Sequence, residues 1–147
     1  MSKFFQALLS GLFFTYFIDF FFFLGLKKNY IDPLQIDIYY NIFFADNQNV
    51  WVYLLLSIFI GYIVIYINIT FIKVFILSIL FVLGISTNIP QIGHKVGMML
   101  FQKKNVTFKN KRYTFIGDVL YNGRKNITFY DYELQKQIQL KKKELIQ

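Results

Sequence analysis

A single carboxylate, Asp19, stands inside the apolar run FFTYFIDFFFFLGLKK, and the polar group Ser86-Thr87-Asn88 closes a second apolar run. A carboxylate costs several kcal/mol in lipid, so it should face a neighbouring helix, a partner subunit or a water-filled cavity. Three chemistries are open to Asp19: a packing anchor bonded to Ser86, Thr87 or Asn88 or paired with Lys27, Lys28 or Lys95; a proton- or ion-handling group; or an intermolecular contact. Transport would normally use a second ionisable group at mid-membrane depth. The apolar blocks offer only Lys73, which the expected topology places on the opposite side.

The remaining inventory argues against an enzyme. There is one histidine, His94, and no cysteine, which excludes thiolate catalysis, disulfides and Cys-ligated metal. No phosphate-binding loop, G-x-G-x-x-G, H-E-x-x-H or G-x-S-x-G is present. A carboxylate pair is conceivable among Asp118, Asp131 and Glu133, and the pattern places all three at turns. No catalytic residue, metal-ligand set or cofactor is expected.

The elements that must position Asp19 are membrane spans. The chain of 147 residues is 56% hydrophobic and 21% aromatic, with the apolar residues in long blocks rather than in alternation. Phe4 to Leu26 is long enough, at ~1.5 Å per residue, to cross a hydrocarbon core of ~30 Å. It is too long for a signal-peptide core and lacks a small-residue cleavage site. Val50 to Gly84 suits a hairpin broken at Asn68–Lys73, giving spans of about 50–67 and 74–92; one long tilted helix is the alternative. We therefore expect an α-helical integral membrane protein of three transmembrane helices.

Three spans set a direction. Fourteen of the sixteen Lys and Arg fall in the loop after the first span or in the tail from His94. The positive-inside bias then puts loop and tail in the cytoplasm and the N-terminus outside, in a bacterial inner membrane. Asp19 would lie ~10 Å from the cytoplasmic end of its helix. Between the first two spans, residues 33–46 are too apolar for a free loop and read as an interfacial segment, with Pro33 opening a short helix behind Asp32. Pro90 should kink or end the third span, with Gly93 and Gly97 loosening the segment beyond it. Met98 to Phe101 should remain in the interface and His94 should meet headgroups.

From Val106 the period changes. VTFK, RYTFI, GDVLY, NITFYD and KQIQL are short runs of β-branched and aromatic residues. Lys109-Asn110-Lys111, Asn122-Gly123 and Asp131-Tyr132-Glu133 read as turns, Asn122-Gly123 as a tight hairpin. These predict a small C-terminal antiparallel β domain of four or five strands, SH3-like or Sm-like, over 105–147, behind a membrane region over 1–104. Near the lower size limit for a core, it should lean on membrane, partner or copy. The stretch GDVLYNGRKNITFYDYELQKQIQL, behind a membrane span, resembles the cytoplasmic β domain of small-conductance mechanosensitive channels over about a sixth of the chain. That resemblance implies a homo-oligomeric channel. The third span, VFILSILFVLGIST, is bulky where that family's pore helix is rich in Gly and Ala, and no family is assigned.

The tail carries twelve Lys and Arg against four carboxylates. Lys103, Lys104, Lys109, Lys111, Arg112, Arg124 and Lys125 are the expected contacts with anionic lipids or a partner, each contributing ~1 kcal/mol near an anionic leaflet. Nucleic acid is not expected as a partner, since no RNA-binding motif accompanies the charge. The sequence thus points to a non-enzymatic small subunit or scaffold of a larger inner-membrane assembly, touching anionic lipids and other membrane subunits, with a homo-oligomeric channel as the alternative.

Overall fold

The computed structural model describes residues 2–110 and 113–146. It divides into two compact units, residues 1–94 and 95–147, and the division falls inside a helix. The first unit begins with α1 (Lys3–Leu26), continued by a π turn over Lys27–Ile31. There follow α2 (Tyr40–Asn47), α3 (Val50–Tyr66), α4 (Thr70–Ser86) and α5 (Pro90–Phe101). Lys3–Ile31 is long and apolar enough to cross a membrane. The pairs α2 with α3, and α4 with α5, reach that length only together, and they bend by 85° and 82° at their breaks.

α1 is the centre of this unit, because both hairpin helices pack on it rather than mainly on each other. On the α3 side the helices run antiparallel and touch through small residues. A side chain at Gly11 would overlap the Ser57 carbonyl, and one at Gly61 would overlap the Ala7 carbonyl. Small residues let backbones approach where lipid offers no hydrophobic drive to pack helices. On the α4 side Gly84 lies against Ile18, within 2.9 Å of its carbonyl oxygen as measured from the position of an added Cβ.

Burial is concentrated where α1 ends. Leu26, Tyr30, Ile31 and Phe43 are fully buried, whereas Phe4, Phe13, Leu55, Phe71, Phe75 and Val82 stand exposed along the helices. Large apolar side chains facing outward along whole helices mark a surface that meets lipid or another protein.

Three expectations are corrected. Pro33 does not open a helix. The π turn and the Lys27–Asp32 ion pair carry α1 on to Ile31, and Pro33 lies in the turn beyond. Proline is common just past a helix end, where it cannot continue the ladder. The interfacial helix starts instead at Tyr40. The third apolar helix covers 70–86 rather than 74–92: it stops at Ser86, and Pro90 starts α5 as its first residue, where its missing N–H costs nothing. Gly93 and Gly97 are buried inside α5 rather than loosening it.

The second unit holds an antiparallel sheet. β1 (Lys103–Asn110), β2 (Thr114–Asn122), β3 (Asn126–Asp131) and β4 (Lys136–Lys141) form a meander. A short 3₁₀ turn over Lys142–Glu144 leads to β5 (Leu145–Ile146), which pairs back onto β1 and gives the order β4-β3-β2-β1-β5. Thr114–Ile116 of the run RYTFI and the run GDVLY, expected as separate, form one strand, β2. Val119, Ile127, Phe129 and Leu140 form the core, with Val106, Phe108, Phe115, Ile138 and Leu145 packed partly exposed against it. The Asn122-Gly123 turn is looser than expected. Asn122 pairs with Ile127, and no glycine has positive φ, so this is a longer loop rather than a two-residue one. The left-handed residues are Gln35, Asn105 and Gln135.

Candidate functional site

Asp19 does not meet Ser86, Thr87 or Asn88. Its carboxylate is half-buried, and Oδ2 accepts a hydrogen bond from Gln48 Nε2 at 2.9 Å. Gln48 occupies the elbow between α2 and α3. The elbow is held from both sides: Tyr40 Oη donates to the Phe20 carbonyl at 2.8 Å, and Tyr53 Oη donates to the Leu12 carbonyl at 2.9 Å. Asn49 completes it as the N-cap of α3, accepting from the N–H groups of Trp51 and Val52. Phe44 stacks edge-on against Tyr16 and Phe23, so α2 lies across α1 around Asp19. One turn before Asp19, the Thr15 hydroxyl is buried with no hydrogen-bond partner. The lysines expected as ion partners are placed otherwise: Lys27 binds Asp32, and Lys28 and Lys95 are exposed.

The polar group at the end of α4 forms a separate anchor on α1. Thr87 is 1% exposed, and its hydroxyl donates to the Phe22 carbonyl at 2.9 Å. Asn88 Nδ2 donates to the Phe21 carbonyl at 3.0 Å. Asn29 Nδ2 returns a bond to the Thr87 carbonyl at 2.9 Å. Gly25 and Gly93 flank Thr87 so closely that a side chain on either would overlap it. The Ser86 hydroxyl donates to the Leu83 carbonyl of its own helix. His94 is exposed, with its ring 5.8 Å from that of Tyr30.

In the second unit Lys103, Lys104, Lys109, Arg124 and Lys125 are exposed; Lys111 and Arg112 lie outside the described residues. Asp118 is not at a turn but in β2. Its carboxylate gathers Tyr132 Oη, the Asn105 N–H at 3.0 Å and Gln102 Nε2 at 3.3 Å, closing the irregularity of β1 between Lys103 and Val106. Slight burial pushes this carboxyl up, but those hydrogen bonds and the Lys104 charge together hold it below its ordinary value. The same contact holds the Tyr132 hydroxyl above its own. Asp131 does serve a turn, accepting from the N–H groups of Glu133 and Leu134.

Sequence reading missed Gln48, Tyr40, Tyr53 and Asn29. Asn47-Gln48-Asn49 was the available signal, a polar triplet between two apolar segments. What these groups do is hold helices: neutral amides and hydroxyls satisfy one carboxylate, bond carbonyls within α1 and reach the Thr87 carbonyl at the end of α4. Among the described residues no three His, Asp or Glu side chains gather as a metal site would require. The chain matches no family model, no curated protein and no solved structure.

Proposed function

We propose that the chain is a non-enzymatic small subunit or scaffold of a larger inner-membrane assembly, with α1, α3 and α4 crossing the bilayer and a basic sheet at the cytoplasmic surface. One observation carries this reading: α2 and α5 both turn off the bundle along a single stretch of α1, Asp19 to Gly25. Two helices leaving at one level are what an interface plane produces: α5 is amphipathic, and α2 is held across α1 by Phe43 and Phe44. α3 and α4, at 17 residues each, are ~26 Å long, close to the thickness of the hydrocarbon core. Asp19 then lies at the inner boundary rather than in mid-membrane, which is why a neutral amide suffices as its partner.

The sheet supports the second half of the reading. A 3₁₀ turn before a last strand that pairs back onto the first is the order of an SH3-like or Sm-like partial barrel. Its exposed lysines and arginine suit an anionic leaflet. The outward aromatics of α1 and α4, Phe13, Phe17, Phe71 and Phe75, offer other subunits a wide apolar surface. A homo-oligomeric channel built on the same chain would need Ser78, Gly84, Ser86, Thr87 and Asn88 facing a lumen, of which Gly84, Thr87 and Asn88 share one helix face. That face is spent on α1 here, which favours the subunit reading.

Native mass spectrometry of the tagged protein, extracted in mild detergent from its own membranes, tests the proposal. We expect a complex with at least one other membrane protein in fixed ratio. A homogeneous monomer would overturn it, and a homo-oligomer that conducts ions in planar bilayers would replace it with the channel.

A further inference from the structure

The sheet leaves part of its core open. A cavity of about 540 Å³ lies over the inner face of β1, β2 and β3, floored by Val106, Phe108, Val119 and Ile127 and bordered by Leu145. Lys103 and Lys142 stand at its rim, both exposed, and neither makes an ion pair among the described residues. Small-molecule sites share this form: an apolar concavity of some 300–1,000 Å³ with a few polar groups that orient the ligand. A positive rim over an apolar floor is complementary to an anion that carries a hydrocarbon tail. A bare phosphate would leave the floor wet, and a nucleobase would find Phe108 already packed edge-on against Phe129. An added peptide strand is disfavoured too, because β1, β2 and β3 pair with one another beneath the cavity and present side chains, not ladder groups.

We propose that this cavity binds the acyl chain of an anionic amphiphile, with the carboxylate or phosphate head held at the Lys103–Lys142 rim. It deepens the membrane-surface reading above and rests on it for the supply of ligand. The amphiphile fills the gap that a sheet this small cannot close by itself. Bilayer phospholipid and free fatty acid share the chemistry.

The test uses the full chain in phosphatidylcholine nanodiscs, exposed in separate arms to photoreactive lauric acid and to phosphatidylglycerol with a photoreactive acyl chain. Crosslinks are mapped by peptide mass spectrometry. We expect label on peptides holding Val106–Phe108 or Leu145, lowered at least about tenfold by Lys103→Glu combined with Lys142→Glu, and lowered likewise by Val106→Trp, which fills the cavity. Label from one arm only supports the proposal and names the source. Label confined to the helices, or cavity label unchanged in the lysine pair, overturns it. Should Val106→Trp fail to fold, the lysine pair, both exposed, decides. Absence of cavity label in the parent protein with the native complex intact removes this inference alone; a labelled cavity in a monomeric protein removes the subunit reading alone.

Discussion

At the scale of single residues, Asp19 is explained by what it holds. Its partner is the Gln48 amide at the α2–α3 elbow, so the charge itself is dispensable while the acceptor is not. Asp19→Asn should leave stability nearly unchanged, because the amide oxygen still accepts from Gln48. Asp19→Leu should cost ~1–2 kcal/mol, the penalty for stranding a partly buried donor. Asp19→Leu combined with Gln48→Leu should recover most of that loss, since no polar group is then left unpaired. Thermal unfolding of the three variants in one detergent checks this; equal loss in Asn and Leu would mean that the charge matters for itself. Asp118 makes the opposite case, where charge is used. Its folded pKa lies below its unfolded one, ~3.9, so its stabilisation is present above that value and fades as pH falls through the folded value. Asp118→Asn should therefore destabilise the sheet at neutral pH, and the difference from the parent should shrink as pH falls through the folded value. Denaturant unfolding followed by a fluorine label on Asn122→Cys would show a constant difference with pH if this were wrong. Sequence exposed Asp19 as anomalous but not its partner, because Gln48 comes to it only through the bend between two helices.

At the scale of elements, close approach between α1 and α3 depends on glycine rather than on the bulky aromatics that dominate the sequence. Gly61→Ala would drive a methyl group into the Ala7 carbonyl, so the helices must separate. We expect a loss of ~1–3 kcal/mol, as for overpacking generally, with Ile58→Ala, on the exposed side of the same helix, nearly silent. Urea or thermal unfolding in detergent compares the two, and equal effects would place the α1–α3 contact elsewhere. The helices themselves were legible, because apolar blocks interrupted by Asn and Lys announce their ends. The break fell at Ile67–Ile69, slightly earlier than the polar residues suggested, since Thr70 and Lys73 fit a first helical turn and Lys73 reaches back to the Val64 carbonyl. Strand alternation likewise marked β1, β3 and β4. The Pro33 helix was misread because the same residue serves equally well after a helix end, and only the Lys27–Asp32 pair decides which. The tight turn at Gly123 was misread because its sequence permits positive φ without requiring it.

At the scale of the whole molecule, the distribution of burial and charge becomes a claim about sides. The loop joining α3 to α4 lies at the Lys3 end of α1, because Gly61 faces Ala7, while α2 and the start of α5 lie at the other end. Of the four basic residues of the helical unit, Lys3 and Lys73 belong to the first end and Lys27 and Lys28 to the other. Positive charge is costly to move across an energised inner membrane and is retained in the cytoplasm. The absence of cysteine gives a clean test, since single cysteines can be placed at Ser2, Asn68 and Asn122, all exposed. In intact spheroplasts an impermeant thiol reagent should label the variants at 2 and 68 and spare the one at 122, which should react only after permeabilisation. Labelling of 122 with protection of 2 and 68 would invert the proposed topology and remove the anionic cytoplasmic leaflet as the surface we propose for its lysines. Labelling of 68 with protection of 2 would leave α1 outside the bilayer path, and Asp19 would then lose the interfacial setting that makes its bond to Gln48 sufficient.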